Sequence, residues 1–249
     1  MLKNKRHFLN WIKENGTILP IKEKWYILNW LLSNNKFNKE YQKVEYIRST
    51  SDGGQWIDTG VLGENSNLRI DISYMWDVVP AGGTYQNIIS AYINETSNCT
   101  RIIQYGTLFT YVGVNIRANL SASYRSTRVA GTMYNDSLTR TYYDVNGERL
   151  ALITTTTGSS NDHNLHLFSS STHSAFAKSL RLYNCKLYDG NTIVRDFIPC
   201  YRKSDREIGL YDKVNDKFYT NGGTGEFIKG GNKWLKMKLE LIYLSIMVM

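Results

Sequence analysis

The groups in this 249-residue chain that could transfer protons or hold a metal are few: four histidines, three cysteines and scattered carboxylates. His163, His166 and His173 lie near Asp162, a composition that suits a metal. In an extended segment, however, His163 and His166 have opposite parity and point to different faces, so they read as loop and surface residues. Cys99, Cys185 and Cys200 form neither a C-x-x-C pair nor an even framework. If Asp189-Gly190-Asn191-Thr192 closes a two-residue hairpin, Cys185 faces Asp196 and Cys200 lies four residues, roughly 13 Å, farther along. Free thiols are therefore expected. A Gly-x-Ser-x-Gly nucleophile elbow is absent from the sequence.

Chemistry of a different kind is offered by rings and guanidinium groups. Tyr111, Arg117, Tyr124 and Arg125 stand close together in sequence. Tyrosine rings stack on sugar faces and arginines read hydroxyls, so these four are the candidate ligand-binding residues, with core packing or ordinary surface as the rival reading of each. The sequons at Asn94, Asn98, Asn119 and Asn135 read as chance in a chain rich in Asn, Ser and Thr.

The net charge of +8 raises the question of nucleic acid, and its location answers it. Residues 1–43 hold nine Lys/Arg against three acids, a net +6, and the other 206 residues hold 21 against 19, only +2. No uniformly basic binding face is expected on the main domain. The N-terminal residues lack the apolar run and cleavage site of a signal peptide, so export by the general secretory route is not expected. The run from Leu241 to Met249 is about half of what a bilayer span needs, so no membrane span is expected.

These residues must be carried by strands. Eighteen tyrosines, three prolines and many Ser, Thr, Asn and Gly suit short strands joined by polar turns. Leu68, Ile70, Ile72, Tyr74 and Trp76 alternate with Arg69, Asp71, Ser73, Met75 and Asp77, the period of a half-buried strand. Further strands are expected over 87–93, 101–114, 140–153, 165–168, 179–188 and 193–201. Asn146-Gly147 tolerates the positive φ of a type I′ turn. Pairing Val145 with Glu148 then sets Asp144 opposite Arg149 on one face, and Tyr143 opposite Leu150 with Thr141 opposite Leu152 on the other. Ahead of this, Ile21, Trp25, Leu28 and Leu32 mark one face of a helix within residues 1–40. At the end, Leu235, Met237, Leu239 and Leu241 alternate like a strand. The expected class is mainly β, a two-sheet antiparallel sandwich with a short helical N-terminal segment.

Two segments go beyond periodicity. Residues 44–61, running from Val44-Glu45-Tyr46-Ile47 through Gln55-Trp56-Ile57-Asp58-Thr59-Gly60, resemble the opening strand of jelly-roll modules found in bacteriophage structural proteins and Firmicutes surface proteins. Residues 182–230, with Cys185-Lys186-Leu187-Tyr188-Asp189-Gly190, Asp196-Phe197-Ile198-Pro199-Cys200-Tyr201 and Gly209-Leu210-Tyr211-Asp212, resemble the closing strands. Tyr143-Asp144-Val145-Asn146-Gly147 is similar to the central hairpin of laminin G-like domains. The resemblance is to the concanavalin A-like and laminin G-like family.

It implies three parts: a basic docking segment over 1–40, a jelly roll over 41–230, and a strand or docking tail over 231–249. It also implies a saccharide-binding or adhesion module on a virion or cell surface, contacting a host-surface saccharide and docked through residues 1–40, as a monomer or homo-oligomer. No cofactor is expected, although related modules carry a rim calcium whose oxygen ligands have no fixed spacing. Glucan hydrolases of this superfamily carry Glu-x-Asp-x-x-Glu, and no Glu here is followed two residues later by Asp. A non-enzymatic role is expected. A glycan-cleaving enzyme and a purely structural oligomer spacer remain the alternatives.

Overall fold

The computed structural model describes residues 39–80, 83–94, 96–105, 107–112, 127–154 and 156–231. The chain divides into two compact units, Met1–Gln42 and Lys43–Met249, and the second carries the β domain. The apolar stripe of residues 21–32 and the alternating tail of 235–249 lie outside the described residues.

Numbered along the chain, the strands are β1 (Tyr41–Lys43), β2 (Ile47–Arg48), β3 (Ile57–Leu62), β4 (Leu68–Trp76), β5 (Gln86–Ser90), β6 (Thr100–Tyr105), β7 (Thr107–Val112) and β8 (Val129–Ser137). They continue with β9 (Arg140–Val145), β10 (Glu148–Thr154), β11 (Asn164–Leu167), β12 (Leu180–Asp189), β13 (Thr192–Arg202), β14 (Ile208–Asp212), β15 (Lys217–Tyr219) and β16 (Ile228–Lys229). The larger sheet runs β10-β9-β8-β4-β12-β13-β14-β15, with β2 added to β12 and β16 to β2. The smaller runs β3-β11-β5-β6-β7. All of these pairings are antiparallel, and the two sheets form a sandwich.

The core lies between them. On β4 the inward residues Leu68, Ile70, Ile72, Tyr74 and Trp76 are each at most 2% exposed, as the alternation predicts. Each such side chain contributes about 1.5–3 kcal/mol on leaving water, which makes β4 the anchor of the larger sheet. It faces Ile89, Ile102, Leu165 and Leu167 of the smaller sheet within one cluster. Tyr74 and Tyr143 meet inside it, hydroxyl to hydroxyl at 3.5 Å, and burial pushes both phenols up.

Cys99, Cys185 and Cys200 are buried, and Cys185 and Cys200 are free thiols. Burial raises the Cys185 thiol and pushes Cys200 up to about 12, so neither is a nucleophile at neutral pH. The pairing differs from expectation by one residue. A bulge between Leu187 and Tyr188 sets Cys185 opposite Phe197 and Lys186 opposite Asp196.

The central hairpin turns at Asn146 (φ 52°) and Gly147 (φ 87°), and Val145 meets Glu148 with Asp144 ion-paired to Arg149. Beyond that point the expected Tyr143–Leu150 and Thr141–Leu152 pairs do not form. A bulge between Arg149 and Ala151 sets Ala151 opposite Tyr143, Leu152 opposite Tyr142 and Ile153 opposite Thr141. One extra residue inverts the parity of the rest of the strand. Ile153 enters the protein at 3% exposure and Leu152 turns outward at 56%.

Within the segment 101–114, expected as one strand, the described residues form the hairpin of β6 and β7. β8 went unrecognised because its inward face holds Gly131. The space above that glycine is filled from β9: a Cβ there would stand 2.7 Å from the Tyr143 hydroxyl.

Candidate functional site

The outward side chains of β4, β8, β9 and β12 are brought side by side by register. Tyr142 faces Tyr134, Tyr134 faces Arg69, and Arg69 faces Tyr188, so four strands place one residue each in a single row. The bulge in β10 adds Leu152 at its end. A second row, one step along the strands, holds Arg149, Asp144, Thr132, Asp71, Lys186 and Asp196. A third holds the short side chains Ala130 and Ser73 followed by Asn184.

Contacts within the rows fix their side chains. The Tyr134 and Tyr142 rings stack at 4.8 Å and 15°, and the Arg149 guanidinium lies 4.6 Å from the Tyr142 ring while donating to the Tyr134 hydroxyl. Arg69 lies 4.9 Å from the Tyr188 ring and grips Asp71 with two bonds, Nε at 2.9 Å and Nη2 at 2.8 Å. The Thr132 hydroxyl donates to the same carboxylate at 3.0 Å. Burial, and after it the Asp71 charge, push the Tyr188 phenol up, so it stays a neutral hydroxyl. Paired charges on flat rings form a pre-ordered polar surface.

Two depressions open on this surface. One, of about 450 Å³, follows the short residues of the third row and is lined by Ser73, Arg128, Ala130, Thr132, Asn146 and Asn184 among others. The second, of about 460 Å³, lies over the first two rows and is lined by Asn67, Arg69, Tyr134, Asp144 and Asn191 among others. Both include Thr132 and Gly147, so they adjoin as one shallow track.

Of the residues singled out from sequence, Tyr111 lies on β7 opposite Arg101, at the edge of the other sheet. Arg117, Tyr124 and Arg125 lie outside the described residues. The face assembled here is a different one, and its members were missed because each looks ordinary on its own strand. Strand alternation marked Arg69 and Asp71 as outward, but nothing local pairs them with Tyr134, Tyr142 and Tyr188.

The histidines also need correction. His166 is 7% exposed on β11 and so is not a surface residue. Its ring centroid lies 4.8 Å from Trp56, His173 lies 4.0 Å from Trp56, and the imidazoles are 5.1 Å apart, with all planes within 21°. An indole between two stacked rings would separate them by about 7 Å, twice a van der Waals contact. Both imidazoles therefore share one face of Trp56. The other is backed by a loop: a Cβ at Gly222 would stand 2.6, 2.7 and 2.8 Å from Cη2, Cζ2 and Cζ3, near-equal distances that place it above the ring plane. Trp56 is thus a filled sandwich and offers no open platform. Desolvation lowers the His166 pKa, opposed by Asp58 at 3.9 Å. Among the described residues no group of three or more His, Cys, Asp or Glu is placed to hold a metal ion.

No family model matches the chain, and no curated protein matches it. Among solved structures it is similar to a Ruminococcus gnavus IT-sialidase CBM40, at 13% identity and TM-score 0.40, over 60% of this chain and 90% of that one. The same module bound to alpha2,3 sialyllactose gives 12% identity and TM-score 0.39 over the same shares. A candidate carbohydrate-binding protein from Bacteroides ovatus is 14% identical at TM-score 0.49, over 77% of this chain and 61% of that one. With every TM-score below 0.5, these likenesses carry no argument about ligand. The neighbours are carbohydrate-binding modules and the two-sheet sandwich stands on the strand pairing above.

Proposed function

We propose that the outer face of the larger sheet binds a saccharide and does not cleave it, the chain acting as an adhesion module. The observation that carries this reading is the track of two adjoining depressions, whose walls hold hydroxyl, amide and guanidinium groups already oriented by bonds to one another. Sugars offer the matching partners, hydroxyls in fixed directions on a ring. An open site surrenders much of that gain to displaced water, so affinity of about 4–8 kcal/mol, millimolar to micromolar, is expected.

Cleavage would need two carboxylates free to move protons on either side of a glycosidic bond. Asp71 and Asp144 are the carboxylates of the track, and each is engaged by a guanidinium, Arg69 and Arg149. That favours binding over hydrolysis. The resemblance of residues 44–61 and 182–230 to modules of bacteriophage structural proteins supports placement on a virion or cell surface, docked through residues 1–40, and the tail 231–249 is read as a second docking strand.

The test is a glycan screen of the full chain with Asp71→Ala and Tyr188→Ala beside wild type. Binding that falls at least about tenfold in both variants is expected. Release of reducing ends would establish an enzyme, and binding untouched by either substitution would move the site to another face.

A further inference from the structure

Arg128 differs from its neighbours in how its charge is met. Arg48, Arg69, Arg140, Arg149, Arg181, Arg195 and Arg202 each lie within 4 Å of an aspartate. Among the described residues Arg128 has no carboxylate partner. It is nonetheless held: Nε donates to Ser73 Oγ at 2.9 Å, and the guanidinium lies 4.1 Å from the centroid of the Tyr183 ring. The stack sets the plane of the fork and the Nε bond sets its rotation, and Nη1 and Nη2 form no bond to any described residue. This fork forms part of the wall of the first depression, with Ser73, Thr132, Asn146 and Asn184.

We infer that Arg128 receives the carboxylate of an acidic sugar, so that the ligand of this track is a saccharide bearing a carboxylate on its ring. The inference rests on the saccharide reading above and deepens it. Two parallel N–H groups in a fixed plane match the two oxygens of a carboxylate, and because stacking has already removed the side chain's freedom, little ordering remains to oppose the bond. The aspartates of the adjoining row are already paired, Asp71 with Arg69, Asp144 with Arg149 and Asp196 with Lys213, so the Arg128 fork meets no unpaired carboxylate there. The hydroxyls and amides beside the fork are left for the ring.

The experiment compares trigalacturonate with its methyl ester, which keeps the ring hydroxyls and removes the charge. Both are titrated into the full chain at low and high salt. The acid should bind at least about tenfold more tightly than the ester at low salt, with the gap narrowing at high salt. In Arg128→Gln the advantage of the acid over the ester should disappear, and Arg128→Lys should restore part of the gap. Because Arg128 is exposed, circular dichroism of each variant should match wild type. Equal binding of acid and ester, or a gap that survives Arg128→Gln, overturns the carboxylate assignment and leaves the saccharide reading in place. A sulfated trisaccharide bound more tightly than the acid overturns it as well. If neither probe binds at millimolar concentration and the glycan screen is also blank, both readings fall together.

Discussion

The bulge in β10 can be tested by two alanine substitutions at neighbouring residues. Ile153 is 3% exposed, so Ile153→Ala removes three buried carbons and leaves a cavity, a change that costs about 2–3 kcal/mol near the edge of a sheet. Leu152, at 56% exposure, already stands in water beside Tyr142, and Leu152→Ala should change stability by no more than about 0.5 kcal/mol. For a domain of this size the first substitution lowers Tm by about 4–12 °C and the second by about 2 °C or less. Urea melts followed by circular dichroism should show a shifted midpoint with an unchanged m value in Ile153→Ala. Straight pairing of Thr141 with Leu152 would reverse the order, since Leu152 would then be the core residue. A larger loss in Leu152→Ala than in Ile153→Ala therefore refutes the bulge, and with it the place of Leu152 at the end of the tyrosine row.

Burial lowers the His166 pKa, so the unfolded chain takes up its proton first as pH falls. That stability is present in full above the unfolded value of 6.5 and is lost as pH drops through the lower folded value. Melts from about pH 7 to about pH 5 should show the decline, and a profile in which His166→Gln keeps the wild-type slope would contradict it. Glu64 acts lower on the scale. Burial alone would raise its pKa, but the Asn161 N–H and the Ser160 and Asn98 side chains outweigh that and lower it, so its contribution is lost as pH falls from 4.5, and Glu64→Gln should flatten that region of the acid melt. Gly222→Ala drives a methyl to within 2.6 Å of the Trp56 ring and should cost about 1–3 kcal/mol with a red shift of tryptophan emission, whereas Gly231→Ala, with nothing within 4 Å, should melt like wild type; equal melts would refute the sandwich. Deleting residues 1–40 should leave a folded β domain that no longer assembles, and assembly persisting in gel filtration would end the docking role.

Sequence alone determined those features that depend on one strand or one turn. The alternation of residues 68–77 reports which face leaves water, and β4 buries that face. Asn146-Gly147 is a local conformational preference, and both residues have positive φ. Where one residue decides parity, local pattern was silent: the bulges after Arg149, at Tyr183 and after Leu187 each leave a residue unpaired to suit packing between the sheets. The site depends on those choices. Tyr111, Arg117, Tyr124 and Arg125 were grouped because they are close in sequence, yet a sheet assembles its surface across strands. Arg69, Tyr134, Tyr142 and Tyr188 become neighbours through the order β9-β8-β4-β12 and its register. Burial periodicity is written along the chain and can be read there. Strand adjacency is decided by how two sheets close over one core, so only the tertiary structure shows which polar residues share a surface.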